Sequence, residues 1–140
     1  FAFVGGGRGI LHPLFIDDLI AVIQLCAVVG QAGQAYILGG ERPVTVRELV
    51  NEIADAVDVP RPRLSVPVPL ARLAATVFEL AGRLTNRPPP ITRSRVTLMS
   101  SNYGYSIAKA RSQLGYAPSV DLATGIRRTV AAYQAAGLMQ

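Results

Sequence analysis

The sequence predicts an α/β fold built on a parallel sheet, and three observations carry that prediction. An apolar, strand-type run opens the chain at residues 1–4; an almost wholly apolar helical stretch follows Asp17-Asp18 to about Val29; and a second apolar run, Ala35-Tyr36-Ile37-Leu38, ends in Gly39-Gly40. Strand, buried helix and buried strand in that order need a crossover connection, and crossovers join parallel strands. With 140 residues, half of them hydrophobic, the chain is long enough to bury a core and fits one domain or part of one.

Residues 1–4 and 14–16 read as short strands on either side of a glycine turn, with Pro13 confining its neighbourhood to an edge or bend. Asp17 and Asp18 suit a helix start, where carboxylates meet unpaired N–H groups and the positive end of the dipole. The helix they open is apolar on nearly every face, so it is expected to be sandwiched. Ala35 to Leu38 has the continuous apolar character of a strand buried on both faces.

Thr45-Val46-Arg47-Glu48 is a capping box, in which hydroxyl and carboxylate each satisfy a backbone donor. Val46, Leu49, Val50, Ile53, Ala54 and Val57 then mark one face of a helix over about 46–58. Pro60 and Pro62 end it, and Arg63 to Pro69 reads as a short strand between prolines. Leu70, Leu73, Ala74, Val77, Phe78, Ala81 and Leu84 form the stripe of a further helix, stopped by Asn86-Arg87-Pro88-Pro89-Pro90. A helix over about 92–100 carries Val96, Leu98 and Met99; Tyr103-Gly104-Tyr105 reads as a strand, and Ser106 as the next N-cap. The helix from Ile107 is closed by Gly115 in a left-handed cap, with Tyr116 packing back on its last turn and Pro118 preventing continuation. A last helix runs from about Leu122 to Ala136, with Leu122, Ile126, Val130 and Tyr133 on one face.

The net charge of +5 comes from thirteen arginines and one lysine against nine acids. A nucleic-acid partner is not expected, because the densest groups (Arg61 with Arg63, Arg93 with Arg95, Arg127 with Arg128) are separated by apolar segments and lack interleaved stacking aromatics. The longest apolar stretch, Leu19 to Val29, contains Gln24 and falls short of the roughly 20 residues a membrane span needs. With no signal-peptide pattern either, the expectation is a soluble cytoplasmic protein without a membrane partner. Cys26, alone within that stretch, reads as a buried structural thiol. The chain opens in mid-strand without an initiator Met, so a fragment is expected.

The glycine run invites comparison with a dinucleotide loop, which needs Gly-x-Gly-x-x-Gly running straight into a helix and an acid about 20 residues on. Here Ile10 stands where the third glycine belongs, a second extended segment comes next, and Ala27 to Gln31 holds no acid. A phosphate loop of the Gly-x-x-x-x-Gly-Lys type is excluded because the only lysine is Lys109. The run is therefore read as a tight turn between strands. His12, the only histidine, leaves no metal cluster available and reads as structural. Tyr103 and Tyr105 with Lys109 could pair a phenol with an ammonium, but they straddle a strand-to-helix junction and are placed on separate faces.

Three segments in order, His12 to Cys26, Ala35 to Ala54 and Tyr105 to Leu138, resemble the C-terminal part of the extended short-chain dehydrogenase/reductases, the NAD-dependent epimerase/dehydratases. The most specific pieces are Phe15-Ile16-Asp17-Asp18, Tyr36 to Gly40 with Pro43-Val44-Thr45, and Lys109-Ala110-Arg111 through Leu114-Gly115-Tyr116 to Pro118. The resemblance covers nearly all of the chain. It implies the C-terminal portion of a Rossmann-like parallel-sheet fold with a mostly helical substrate lobe over residues 1–140, the N-terminal dinucleotide-binding part being absent.

In that family the N-terminal part holds the cofactor loop and the catalytic Tyr-x-x-x-Lys. Tyr105 to Lys109 fits the latter literally, but sits where the family has a late helix, so the match is coincidental. The resemblance thus implies NAD or NADP in the parent protein, none bound by this fragment alone, no catalytic residue here, and the missing N-terminal half as partner, with a homodimer as a further possibility. Nucleotide-sugar members tend to carry an arginine just before the acidic helix start; Leu11-His12-Pro13 stands there instead, which favours apolar alcohols and ketones over nucleoside diphosphates. Arg8, His12, Arg93 and Arg95 are the candidate substrate contacts. The expected function is the substrate lobe of an epimerase, dehydratase or reductase acting on a sugar or other secondary alcohol or ketone; the rival is a non-catalytic binding or assembly domain.

Overall fold

A computed structural model describes residues 2–139. The elements in order are β1 (Phe3–Val4), β2 (Ile10–Leu11), α1 (Ile16–Val29), β3 (Val44–Thr45), α2 (Val46–Ala56), β4 (Ser65–Val66), α3 (Val68–Thr85), α4 (Arg93–Ser100), α5 (Ala108–Leu114) and α6 (Leu122–Ala135). The fold is α/β, with helices dominating two small sheets. β1 pairs in parallel with β4, Phe3 opposite Ser65, and β2 pairs antiparallel with β3, Ile10 opposite Thr45. The glycine turn therefore does not join two mutually paired strands: it hands the chain from one sheet to the other.

Two hydrophobic clusters hold the elements together. Val22 of α1 meets Ile107, Ala110, Leu114 and Tyr116 around α5. Val4, Ala71, Ala75 and Val96 pack β1, α3 and α4 against one another. α2 lies against α6, and its start is set by Thr45, whose hydroxyl accepts from Glu48 N at 3.0 Å. Only half of the expected capping box forms, because the Glu48 carboxylate takes Arg42 as its partner instead.

Several sequence expectations are corrected. Residues 14–16 are not a strand: Phe15 is the N-cap of α1, and the extended segment lies earlier, at Ile10–Leu11. Ala35 to Leu38 is not a buried strand. No strand among the described residues lies beside it, and Ile37 is 53% exposed. α1 is accordingly not sandwiched; Val22 is fully buried while Ile16, Ile20 and Ile23 face outward. Tyr103 to Tyr105 makes no strand, only a bridge between neighbouring Asn102 and Ile10. The α5 cap is Ile107, although Ser106 Oγ still accepts from Ala108 N at 3.3 Å. Gly115 does take the left-handed cap, at φ 69°. α3 forms where expected but is turned the other way: Ala71 and Ala75 face the core and the leucine stripe faces out.

Candidate functional site

Two of the candidate contacts, Arg8 and His12, are expected near the glycine turn, and the other two, Arg93 and Arg95, after the proline run. Gly5, Gly6 and Gly7 all hold positive φ (58°, 72° and 69°), a backbone that side chains disfavour. Gly6 N donates to Ser65 Oγ at 3.0 Å, and Arg47 Nε donates to Gly6 O at 2.9 Å while its guanidinium lies 4.3 Å from the Phe3 ring centre. A β-carbon on Gly7 would come within 2.8 Å of Phe3 and 2.9 Å of Arg47. The turn is thus filled by this chain's own groups, and it leads into β2 instead of a helix. It does not fit a dinucleotide pyrophosphate, which needs free N–H groups leading into a helix N-terminus.

His12 and the residues around Gly39 form the second part of the region. His12 Nε2 lies 3.1 Å from Gly40 O, Tyr116 Oη donates to Gly39 O at 2.8 Å, and Gly40 N donates to Pro13 O at 2.9 Å. The His12 ring lies so close that a β-carbon on Gly39 would meet it at 2.6 Å. Burial, with the Asp18 charge nearby, pushes the Tyr116 phenol above its ordinary value, against a smaller opposing effect of Arg111. These bonds tie the end of β2, the segment before Glu41 and the end of α5 into one junction. His12 is a half-buried member of it, its Nδ1 buried without a partner among the described residues.

The four candidate contacts do not converge. Arg8 is exposed beside Gly9, whose backbone lies against Met99 at the end of α4, whereas Arg93 and Arg95 are exposed in the first turn of that helix. The Arg93 backbone N–H donates to Glu79 Oε1 at 2.7 Å, and Arg95 reaches Pro90 O at 3.4 Å. A cleft of about 310 Å³ between α2 and α6, lined by Phe15, Arg42, Glu48, Leu49, Asp121 and Ile126 among others, holds none of the four. Its charged groups are largely engaged: Glu48 with Arg42, which holds the carboxyl below its ordinary value, and Asp121 with Thr124 N and Oγ1. Among the described residues no three His, Cys, Asp or Glu side chains group to hold a metal ion.

Lys109 Nζ donates to Gln34 Oε1 at 2.8 Å and to Ala35 O at 2.9 Å. The acidic pair divides. Asp17 is exposed and lies 3.5 Å from Arg128, while Asp18 is buried and accepts from Ser119 N (2.9 Å), Ser119 Oγ (2.7 Å) and Val120 N (3.2 Å). Burial alone would raise the Asp18 carboxyl, but those three donors outweigh it and hold the group below its ordinary value. Arg47 and this Asp18 latch were missed in the sequence. For Arg47 a usable signal existed: an arginine in the first turn of a helix, where a positive charge is disfavoured by the dipole, needs another reason to be there.

A 3beta-hydroxysteroid-dehydrogenase/decarboxylase isoform from Arabidopsis thaliana is 34% identical to this chain over 141 residues, which cover 91% of the chain and 25% of the relative. A 2-alkyl-3-oxoalkanoate reductase from Stenotrophomonas maltophilia is 32% identical, covering 89% of the chain and 40% of the relative. The chain belongs to the extended short-chain dehydrogenase/reductases. It corresponds to the C-terminal part of these short-chain dehydrogenase/reductases and spans between about a quarter and two-fifths of the length of those two relatives. No family model matches the sequence. In structure, a dTDP-glucose 4,6-dehydratase from Streptomyces venezuelae, solved with NAD and TYD bound, superposes with a TM-score of 0.64 at 24% identity, over 96% of this chain and 34% of that one. At that identity the likeness concerns the fold.

Proposed function

We propose that this chain is the substrate-binding portion of an NAD(P)-dependent oxidoreductase that acts on an apolar secondary alcohol or ketone. The cofactor and the catalytic groups come from a part of the parent protein outside these 140 residues. The observation that carries the reading is the segment Leu11-His12-Pro13, where His12 is bound to Gly40 O and no arginine stands to engage a diphosphate. Support comes from the two relatives, whose names give a hydroxysteroid and a 2-alkyl-3-oxoalkanoate as what they act on. NAD in the dehydratase structure supports a dinucleotide in the parent. Arg8, Arg93 and Arg95, each exposed, are proposed as separate polar contacts at the edge of the substrate lobe.

The test titrates NADH and NADPH into the 140-residue chain and into the longer protein encoded by its open reading frame. Binding only by the longer protein is expected, together with turnover of an apolar ketone but not of a nucleotide-sugar. Tight binding by the short chain would overturn the assignment. A non-catalytic assembly domain remains as the second reading because of the outward Ile16, Ile20 and Ile23 of α1; an open reading frame without a glycine loop and Tyr-x-x-x-Lys upstream of Phe1 would select it.

A further inference from the structure

α3 is inside out by the ordinary logic of a surface helix. Its inward face is made of small residues, Ala71 and Ala75, packed on Val4 and Val96. Its outward face carries Leu70, Leu73, Val77, Leu80 and Leu84, between 55% and 82% exposed. On a helix of 3.6 residues per turn these five fall within roughly a quarter-turn of one another, so they form one continuous stripe. Arg72 and Arg83 border it along one side.

Charge is concentrated on the same part of the chain. Residues 61–95 contain seven arginines and one glutamate, whereas the remaining residues carry seven basic groups against eight acidic ones. Among the described residues none of Arg63, Arg72, Arg83 and Arg87 has an ion-pair partner. Glu79, the one acid, accepts from the Arg93 backbone instead. Beyond the helix end, Arg83 and Arg87 line an open cleft of about 420 Å³ beside exposed Leu84.

The other unpartnered apolar face, on α1, is different in kind. From Leu19 to Gly40 the sequence contains no charged residue, as suits a face to be covered by protein. A leucine stripe bordered by unpaired arginines instead matches an anionic bilayer surface, where apolar side chains enter the acyl boundary and guanidinium groups meet phosphates. No helix of the described residues is long and apolar enough to cross a membrane, so α3 would lie flat.

We propose that α3, with Arg72, Arg83 and Arg87, docks this protein on the surface of an anionic lipid bilayer. This departs from the sequence reading that no membrane is involved, which rested on the absence of a spanning segment. It is independent of the proposed oxidoreductase function.

The test is flotation of the 140-residue chain with vesicles of phosphatidylcholine alone or containing roughly a third phosphatidylserine, at low and high salt. Flotation with the anionic vesicles is expected, at least about tenfold weaker on phosphatidylcholine or in high salt. A Leu73→Asp/Leu80→Asp variant and an Arg72→Glu/Arg83→Glu/Arg87→Glu variant should each lose about tenfold or more, with unchanged far-UV dichroism. An Ile20→Asp/Ile23→Asp variant on α1 should float like the parent chain. The proposal is overturned by absence of flotation, by equal flotation on both vesicle types, by loss only in the α1 variant, or by α3 variants that abolish self-association while leaving flotation intact.

Discussion

Asp18 ties the start of α1 to the far end of the chain, accepting two bonds from Ser119, 101 positions away, and one from Val120. Because its carboxyl is held below its ordinary value in the folded chain, the unfolded chain takes up the proton first as pH falls. Its contribution is therefore complete above the ordinary aspartate value of about 4 and is lost on descent toward the lower folded value. Urea midpoints should fall as pH drops from about 5 to about 3, and Asp18→Asn should flatten that fall. At neutral pH Asp18→Ala should cost about 2 kcal/mol, since it leaves the Ser119 and Val120 donors without their acceptor. The glycine turn offers a second comparison at this scale. Gly6 and Gly7 share a positive φ, but a β-carbon on Gly6 finds nothing nearer than 3.8 Å whereas one on Gly7 meets Phe3 at 2.8 Å. Gly6→Ala should therefore cost about 1 kcal/mol from backbone strain alone, and Gly7→Ala about 2–4 kcal/mol, both read by denaturant unfolding.

Periodicity tells that a helix forms more reliably than it tells which way the helix turns. α2, α3 and α6 are all legible in the sequence, because each repeats apolar residues at helical spacing and each is bounded by a cap, a proline or a glycine. For α2 that reading extends to packing, since Val46 and Ala54 of the predicted face are buried. For α3 it does not. The predicted stripe of Leu70, Leu73, Val77 and Leu84 lies outward, and the buried face consists of alanines that no hydropathy pattern singles out. The mutational consequence is an inversion of the usual order: Leu73→Ala should lie within about 0.5 kcal/mol of the parent, while Ala75→Leu, with no free space against Val4 and Val96, should cost about 1–3 kcal/mol. Thermal or urea unfolding of the two variants decides it, and a reversed order would mean that the leucine face is the packed one. Strands were less legible than helices for a related reason. A two-residue strand such as β2 has no periodicity of its own and exists through pairing with β3, while Ala35 to Leu38 has the composition of a strand and no partner among the described residues.

At the scale of the molecule the same shortage of partners sets the behaviour of the isolated chain. The two buried clusters do not merge, and each is small: one is centred on Val22 and Tyr116, the other on Ala75 and Val96. Between Leu19 and Gly40 an uncharged segment packs on the first cluster with one face and leaves Ile20, Ile23 and Ile37 at least half exposed with the other. Contiguous exposed apolar surface of this kind is uncommon on monomeric proteins and favours association, because covering it removes apolar area from water. The candidate contacts fit the same picture: Arg8, Arg93 and Arg95 stand exposed and apart, legible in the sequence as polar residues near the glycine turn or after the proline run. The 140-residue chain should therefore self-associate in sedimentation velocity, with a weight-average mass that rises with concentration, and should bind a hydrophobic dye. Ile20→Asp with Ile23→Asp should shift it toward monomer without loss of helix, because both side chains already face water. A parent chain that sediments as a monomer and binds no dye would show that α1 needs no cover, and that the half-exposed segment from Leu19 to Gly40 is stable as it stands.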